Sequence, residues 1–264
     1  MIGEKPLKIK KKTLIAQILF VVVFLALWQI AYVNNIWPDL LFPSIKSIGK
    51  SLVEAFADRG FLDMVLHSLR LLLIGLVLGI VVAMLFSSLS VIFNTFKAVY
   101  NMIVSMFDLI PGIALIPVTI LWLGIGDAAI IFMVFHSVVW PMSRSIIDGF
   151  DSVPKLYLEA GENIGLSHIR LVLGVFLPAS MPRIFSGIKV GWARAWRGLI
   201  SAEMVFGSGE ALGIGYFLND RRTNLDISGI FAAIIVIIII GMIIEYGFSR
   251  TIEKNTFKKW GMTR

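Results

Sequence analysis

Cysteine is absent from the 264 residues. That excludes disulfides, thiol nucleophiles and cysteine metal sites. Charge is scarce too: Asp, Glu, Lys and Arg make up 16%, against about 25% in a soluble domain. The three histidines, His67, His136 and His168, fall on separate segments, so no histidine cluster for a metal is foreseen. There is no H-E-x-x-H helix, no G-x-x-x-x-G-K-S/T phosphate loop and no G-x-S-x-G elbow. Gly207, Gly209, Gly213 and Gly215 form a glycine string, but no strand precedes it and no G-K-S/T follows. The chain is therefore not expected to hydrolyse ATP, to act as an enzyme or to bind a cofactor of its own.

Apolar residues are what the chain has in excess. They make up 58%, and the mean hydropathy is +0.87, against about 45–50% apolar in soluble domains. A membrane span needs about 20 residues, so five or six spans with their loops fill the length. No room is left for a sizeable soluble domain. Lipid offers no partners for the backbone, so the spans should be helices. The expected fold is an all-α integral membrane bundle of six spans. Its net charge of +7 is read through the positive-inside rule, not as a sign of nucleic-acid binding.

Taken in order, residues 1–13 form a basic segment with Lys5, Lys8, Lys10, Lys11 and Lys12. The apolar run 14–33 is long for a signal-peptide core, and no small-x-small cleavage site follows it. It is read as an uncleaved first span. Residues 34–63 form an outer loop, in which Ser44 to Phe56 suits a short amphipathic helix. The body of the protein is placed at 64–250 and a basic cytoplasmic tail at 251–264. The second span runs from about Met64 to Ser87, with Ser68, Gly75, Gly79 and Ala83 on one face; small residues at that spacing let backbones approach closely. Arg70 lies on the opposite face, placed to snorkel to the interface.

The third span, about Ala98 to Leu123, is interrupted by Asp108, Pro111 and Pro117. The prolines predict a kink. An unpaired Asp108 at mid-span would cost about 2.5–3.5 kcal/mol on insertion scales. It is a candidate for the translocation path or for an internal ion pair. The fourth span, about Ala128 to Ile147, holds His136, expected to be a hydrogen-bonded packing residue. In the fifth, about Ile184 to Phe206, Gly187, Gly191, Ala195, Gly198 and Ala202 form a seam. That seam is expected to face another helix across a pore or at a subunit interface. Arg194 and Arg197 flank it, as partners for Asp108 or Asp148 or as the lining of an anion path. Glu203 falls on nearly the opposite face. A glycine-rich outer loop, Gly207 to Asp226, precedes the last span at about Ile227 to Tyr246.

Most Lys and Arg then lie in the N-terminal segment, the tail, and the stretch between spans four and five. Six spans with both termini in the cytoplasm satisfy the positive-inside rule. They put the polar loop 149–180 in the cytoplasm. Within it, Glu159 to Ile164 suits a short helix. Gly165 breaks that helix by taking a positive φ, Ser167 caps a second helix towards Phe176, and Pro178 closes the unit.

This loop resembles a known family. Glu159-Ala160-Gly161, three residues, Gly165, nine residues and Val175-x-Leu177-Pro178 are similar to the "EAA" loop of ABC-importer permeases. That pattern reads E-A-A, three residues, G, nine residues, I-x-L-P. Gly161 and Val175 are its two mild departures. Pro111 to Pro117 with Leu121 to Gly126, Leu177-Pro178-Ala179 to Gly187-Ile188, and Ala202-Glu203-Met204 before Gly213-Ile214-Gly215 resemble blocks of the nitrate, sulfonate, taurine and bicarbonate permeases. The resemblance covers about His67 to Glu245. It implies a homodimer in the plasma membrane with a pore at its axis. It further implies a cytoplasmic ATPase docked on Glu159 to Ile169 and a substrate-binding protein on the outer face. ATP would be consumed by the partner subunit. A competing reading is an ion-coupled secondary transporter using Asp108, Arg194 and Arg197. No inverted repeat supports it. A membrane-embedded enzyme lacks any nucleophile–base or metal constellation.

Overall fold

The computed structural model describes residues 11–38, 40–207 and 212–252. The lysines at 5, 8 and 10, Gly209 and the tail beyond Ile252 lie outside the described residues. Helix α1, Lys11–Val33, is apolar on every side, and none of its spanning window is buried. Its main tether is Trp28, whose indole N–H donates to the Pro43 carbonyl at 3.0 Å. The same ring stacks on Phe42 and meets Phe231 edge-on.

Helix α2, Ile45–Ala57, starts where Ser44 Oγ accepts the Ser47 N–H at 3.0 Å, as a serine N-cap should. It buries Ile48 and Ala55. Asp58 then caps α3, Arg59–Ile92, by accepting the Gly60 N–H at 2.9 Å. With that cap, α3 begins before and ends beyond the span expected at Met64 to Ser87.

The third span is not one kinked helix. Helix α4, Asn94–Phe107, stops at Asp108, and the chain resumes as a 3₁₀ turn, Gly112–Leu115, and helix α5, Ile116–Leu123. The two halves meet at 94°. Pro111 has an extended backbone, and a proline also restricts the residue before it. Pro117 lies in the first turn of α5, where its missing N–H has no intrahelical partner to lose. One proline therefore ends a helix and the other opens one.

Helix α6, Asp127–Asp151, is the axis of the molecule. It packs along most of its length against α9, Leu177–Phe206, and on its other side against α3. Between lipid tails, apolar burial drives little association, and close contact must do it. The glycines provide that contact. A Cβ at Gly75 would lie 2.6 Å from Val134 Cγ1, and one at Gly79 2.8 Å from Val138 Cβ. On α9, a Cβ at Gly187 would lie 2.6 Å from Ser145 Cβ, and one at Gly198 2.6 Å from Ser137 Oγ; Gly191 faces Val138 Cγ1 at 3.4 Å. The α9 seam thus faces α6 of its own chain, not a pore or a subunit interface. Its spacing matches α6 because Ser137, Val138 and Ser145 are themselves small enough to receive a backbone.

Short helices α7, Lys155–Asn163, and α8, His168–Leu171, join α6 to α9 at one end of the bundle. At the other end lie α10, Ile214–Thr223, and the start of the last helix, α11, Ile227–Ile252. The segment expected as a glycine-rich loop therefore contains a helix. Among the described residues five helices are long and apolar enough to span a membrane, and a sixth crossing results if the bent α4–α5 pair counts as one span. No strand occurs among the described residues. The fold is an all-α integral membrane bundle.

Candidate functional site

The sequence points to two places, and the structure puts them in different parts of the molecule. The first is the α7–α8 connection. Gly165 has φ +76°, and a Cβ there would meet nothing within 4 Å. Conformation, not crowding, requires this glycine. Gly161 is the reverse case. It is buried, and a Cβ would lie 2.6 Å from Leu171 Cδ2 and 3.5 Å from Val175 Cγ2. Here α7 lies directly on α8, so the departure from alanine at this position fits the packing.

Two expectations for this segment need correction. Ser167 has the extended backbone of an N-cap but makes no side-chain capping bond. Pro178 does not close the unit either. The helix widens to a π turn over Val172–Phe176 and runs on through Pro178 into α9, giving one helical path from His168 to Phe206. A π turn shifts the hydrogen-bond register, and the proline then falls in the first turn of α9. Leu177 and Pro178 are half-buried in that path. Glu159 and Ala160 are exposed. So are Leu156, Tyr157, Ile164 and Ile169, with Ile164 at 77% exposure. These residues give the connection an open apolar surface bordered by acids.

The second place is the break after α4. Asp108 Oδ1 accepts from Arg194 Nη1 at 2.6 Å, and its Oδ2 lies 3.5 Å from Arg144 Nε. Arg194 thus takes Asp108, not Asp148, as its partner. Arg197 donates its Nε–H to the Ala193 carbonyl at 3.1 Å. Asp108, Arg194 and Arg197 line one cavity of about 320 Å³, together with Pro111, His136 and Trp140. Arg194 and Arg144 both face the Asp108 carboxylate, and Arg194 and Arg197 line the cavity with it, so positive charge is in excess there. His136 is buried, but its Nε2 has no hydrogen-bond partner among the described residues, and neither has Trp140 Nε1. The hydrogen-bonded packing role expected of His136 is not what the structure shows.

The sequence profile of the binding-protein-dependent transport system inner membrane components matches residues 75–258. The chain belongs to that family. It is an ABC-importer permease of the nitrate, sulfonate and taurine group. It is 25% identical over 228 residues to the taurine transport system permease protein TauC of Escherichia coli, covering 83% of this chain and 80% of that one. A probable ABC transporter permease protein of Haemophilus influenzae is 27% identical over 240 residues, 89% of this chain and 94% of the other. The nitrate import permease protein NrtB of a Synechocystis strain is 29% identical over 136 residues, 52% of this chain and 48% of its own.

Two groups of the permease escaped the sequence reading. Arg144 shares one face of α6 with His136 and Trp140, at successive intervals of four. That spacing is visible in the sequence, but nothing in it shows that Asp108 lies opposite. The sequence places Glu203 only on nearly the opposite face of α9 from the seam; it is fully buried there. Its Oε1 accepts from Ser68 Oγ at 2.6 Å and its Oε2 accepts the Gly215 N–H at 2.8 Å. The signal was the pairing of an acid within a span with glycines ten and twelve residues later.

Proposed function

We propose that this permease forms the translocation path of an importer for a small anion and is driven by a separate ATPase subunit. The observation that carries the reading is the open apolar surface of α7 and α8, hinged at Gly165. Leu156, Tyr157, Ile164 and Ile169 have no reason to face water in a connection this short unless a partner covers them. The acids Glu159 and Glu162 at its border add charge complementarity for that partner. In this reading the α7–α8 end and both termini are cytoplasmic, the α10 end faces a substrate-binding protein, and two copies assemble around the path. Lipid surrounds α1.

The cargo class follows from the cavity beside Asp108. Its surplus of guanidinium charge favours an anion, and Arg197 keeps its terminal nitrogens available while its Nε is held by Ala193. Nitrate carries negative charge, and taurine carries a sulfonate, which suits a relationship to permeases named for them. An ion-coupled transporter would need Asp108 open to an ion. Two arginines engage it instead.

The test is purification of the tagged permease in mild detergent beside Gly165→Asp. The native chain is expected to bring a nucleotide-binding subunit with it, and the variant to lose that subunit while remaining membrane-inserted. Equal recovery of the ATPase with both would refute docking on this surface. Uptake that follows a proton or sodium gradient without ATP would restore the secondary-transporter reading.

A further inference from the structure

Among the described residues one carboxylate is fully buried, and it lies outside both candidate sites. Glu203 sits near the end of α9 with no exposed surface. Gly213, at the N-cap position of α10, has no side chain to cap that helix, and the first turn of α10 contains no acid. The orphan donors there are satisfied from elsewhere. Ile214 N–H donates to Ser68 Oγ at 2.9 Å, Ser68 Oγ donates to Glu203 Oε1, and Gly215 N–H donates to Glu203 Oε2. A carboxylate from one helix therefore caps another, where the dipole of α10 favours negative charge.

The fit tolerates no side chain. A Cβ on Gly213 would lie 2.1 Å from Glu203 Oε1, and one on Gly215 would lie 2.5 Å from the Ile200 carbonyl. Helix α10 is held on its other side by Phe217, which meets Phe61 of α3 at 4.8 Å. Three helices, α3, α9 and α10, thus converge on one buried carboxylate. One of them, α9, is continuous with α8 through the π turn, so a single helical path of 39 residues reaches from His168 to Phe206.

We propose that Glu203 is a positioning residue for transport, a latch that makes α10 move with α9 and so carries motion of the α8 end to the opposite face. The proposal rests on the reading of α7 and α8 as the ATPase-docking surface and of the permease as a homodimer. Its physical basis is that a displacement crosses a bundle only where elements are joined stiffly. Bonds from buried donors to a buried carboxylate are stiff because releasing them leaves unsatisfied polar groups.

The test uses the permease–ATPase complex in lipid nanodiscs. Because the chain has no cysteine, a single Arg222→Cys on exposed α10 accepts one spin label per copy, and the distance between labels reports α10. In the otherwise native complex, vanadate trapping of nucleotide is expected to shift that distance. In Glu203→Ala, the shift should fall at least about threefold, the scale of coupling changes along such a path, while basal ATP hydrolysis persists. Glu203→Gln keeps an acceptor for Gly215 and a donor towards Ser68, so it should retain the shift. If Glu203→Ala fails to fold, Gly213→Ala, which forces the carboxylate away, should show the same loss. A full shift in Glu203→Ala or Gly213→Ala overturns the latch. So does a folded Glu203→Gln that behaves as Glu203→Ala, or an otherwise native complex whose α10 labels ignore nucleotide. Failure of the ATPase to co-purify with the native chain refutes instead the docking reading beneath it.

Discussion

Arg194 and Asp108 lie 86 residues apart in the sequence and meet at 2.6 Å. Their pairing ties the break after α4 to the middle of α9, with Arg144 of α6 as a second partner for the same carboxylate. Asp108→Asn should destabilise the permease because it leaves two guanidinium groups without a counter-charge. Asp108→Asn combined with Arg194→Gln should cost less than the sum of the two single changes. A coupling energy of about 0.5–3 kcal/mol is expected for groups in direct contact. Thermal unfolding of the four proteins in one detergent measures it, and strict additivity would refute the pair as a stabilising contact.

Arg197 stands in a different position. Its side chain bonds a carbonyl of its own helix and lines the same cavity. Arg197→Gln should leave stability within about 0.5 kcal/mol, as for a change away from the packed core. Anion uptake by the reconstituted complex should nevertheless fall, with nitrate and taurine as probes. If the importer takes up either probe, undiminished uptake in Arg197→Gln would remove the arginine from the path.

Gly165 offers a test of backbone conformation alone. With φ +76° and open space around its Cα, Gly165→Ala should cost about 1–2 kcal/mol locally through the left-handed backbone. Gly165→Asn should cost less, because asparagine visits that region more readily. The strength of ATPase retention during purification should therefore rank native, then Asn, then Ala. A variant order that ignores this ranking would mean that the turn is not needed for docking.

The helix seams predict opposite outcomes for the same substitution. Gly75→Ala places a methyl 2.6 Å from Val134, and overpacking of this kind costs about 1–3 kcal/mol. Gly49→Ala, inside α2 with nothing within 4 Å of its Cβ, should stabilise by about 0.4–1 kcal/mol through the unfolded state. Melting temperatures of the two variants should move in opposite directions.

Hydropathy and glycine spacing made the spans and their packing faces legible, because both depend on residue types at short range. Which helix each seam faces was not legible. The stripe on α9 reads the same whether its partner is α6 or another subunit, and only the complementary small residues of α6 decide it. The third span was misread for a related reason: two prolines signal interruption, but the angle between the halves depends on what α5 packs against. Asp108 and Arg194 could be named from their cost in lipid, yet Asp148 was an equal partner until the break at Pro111 fixed where Asp108 lies. The burial of Glu203 was not legible, because what covers that face of α9 is a turn of chain ten residues further on. In the α7–α8 connection, the glycine at 165 was legible from sequence. The continuity through Pro178 was not, because a π turn leaves no residue signature.

Helix α1 adds almost nothing to the packed core, and Trp28 is its main hold on the rest. It nevertheless precedes α3, α6 and α9 in the chain and so meets the membrane before they do. An earlier span commonly biases which way the later ones are threaded. Its contribution then belongs to the order of events during synthesis. By the time α3, α6 and α9 close on one another, the information α1 carried has already been used.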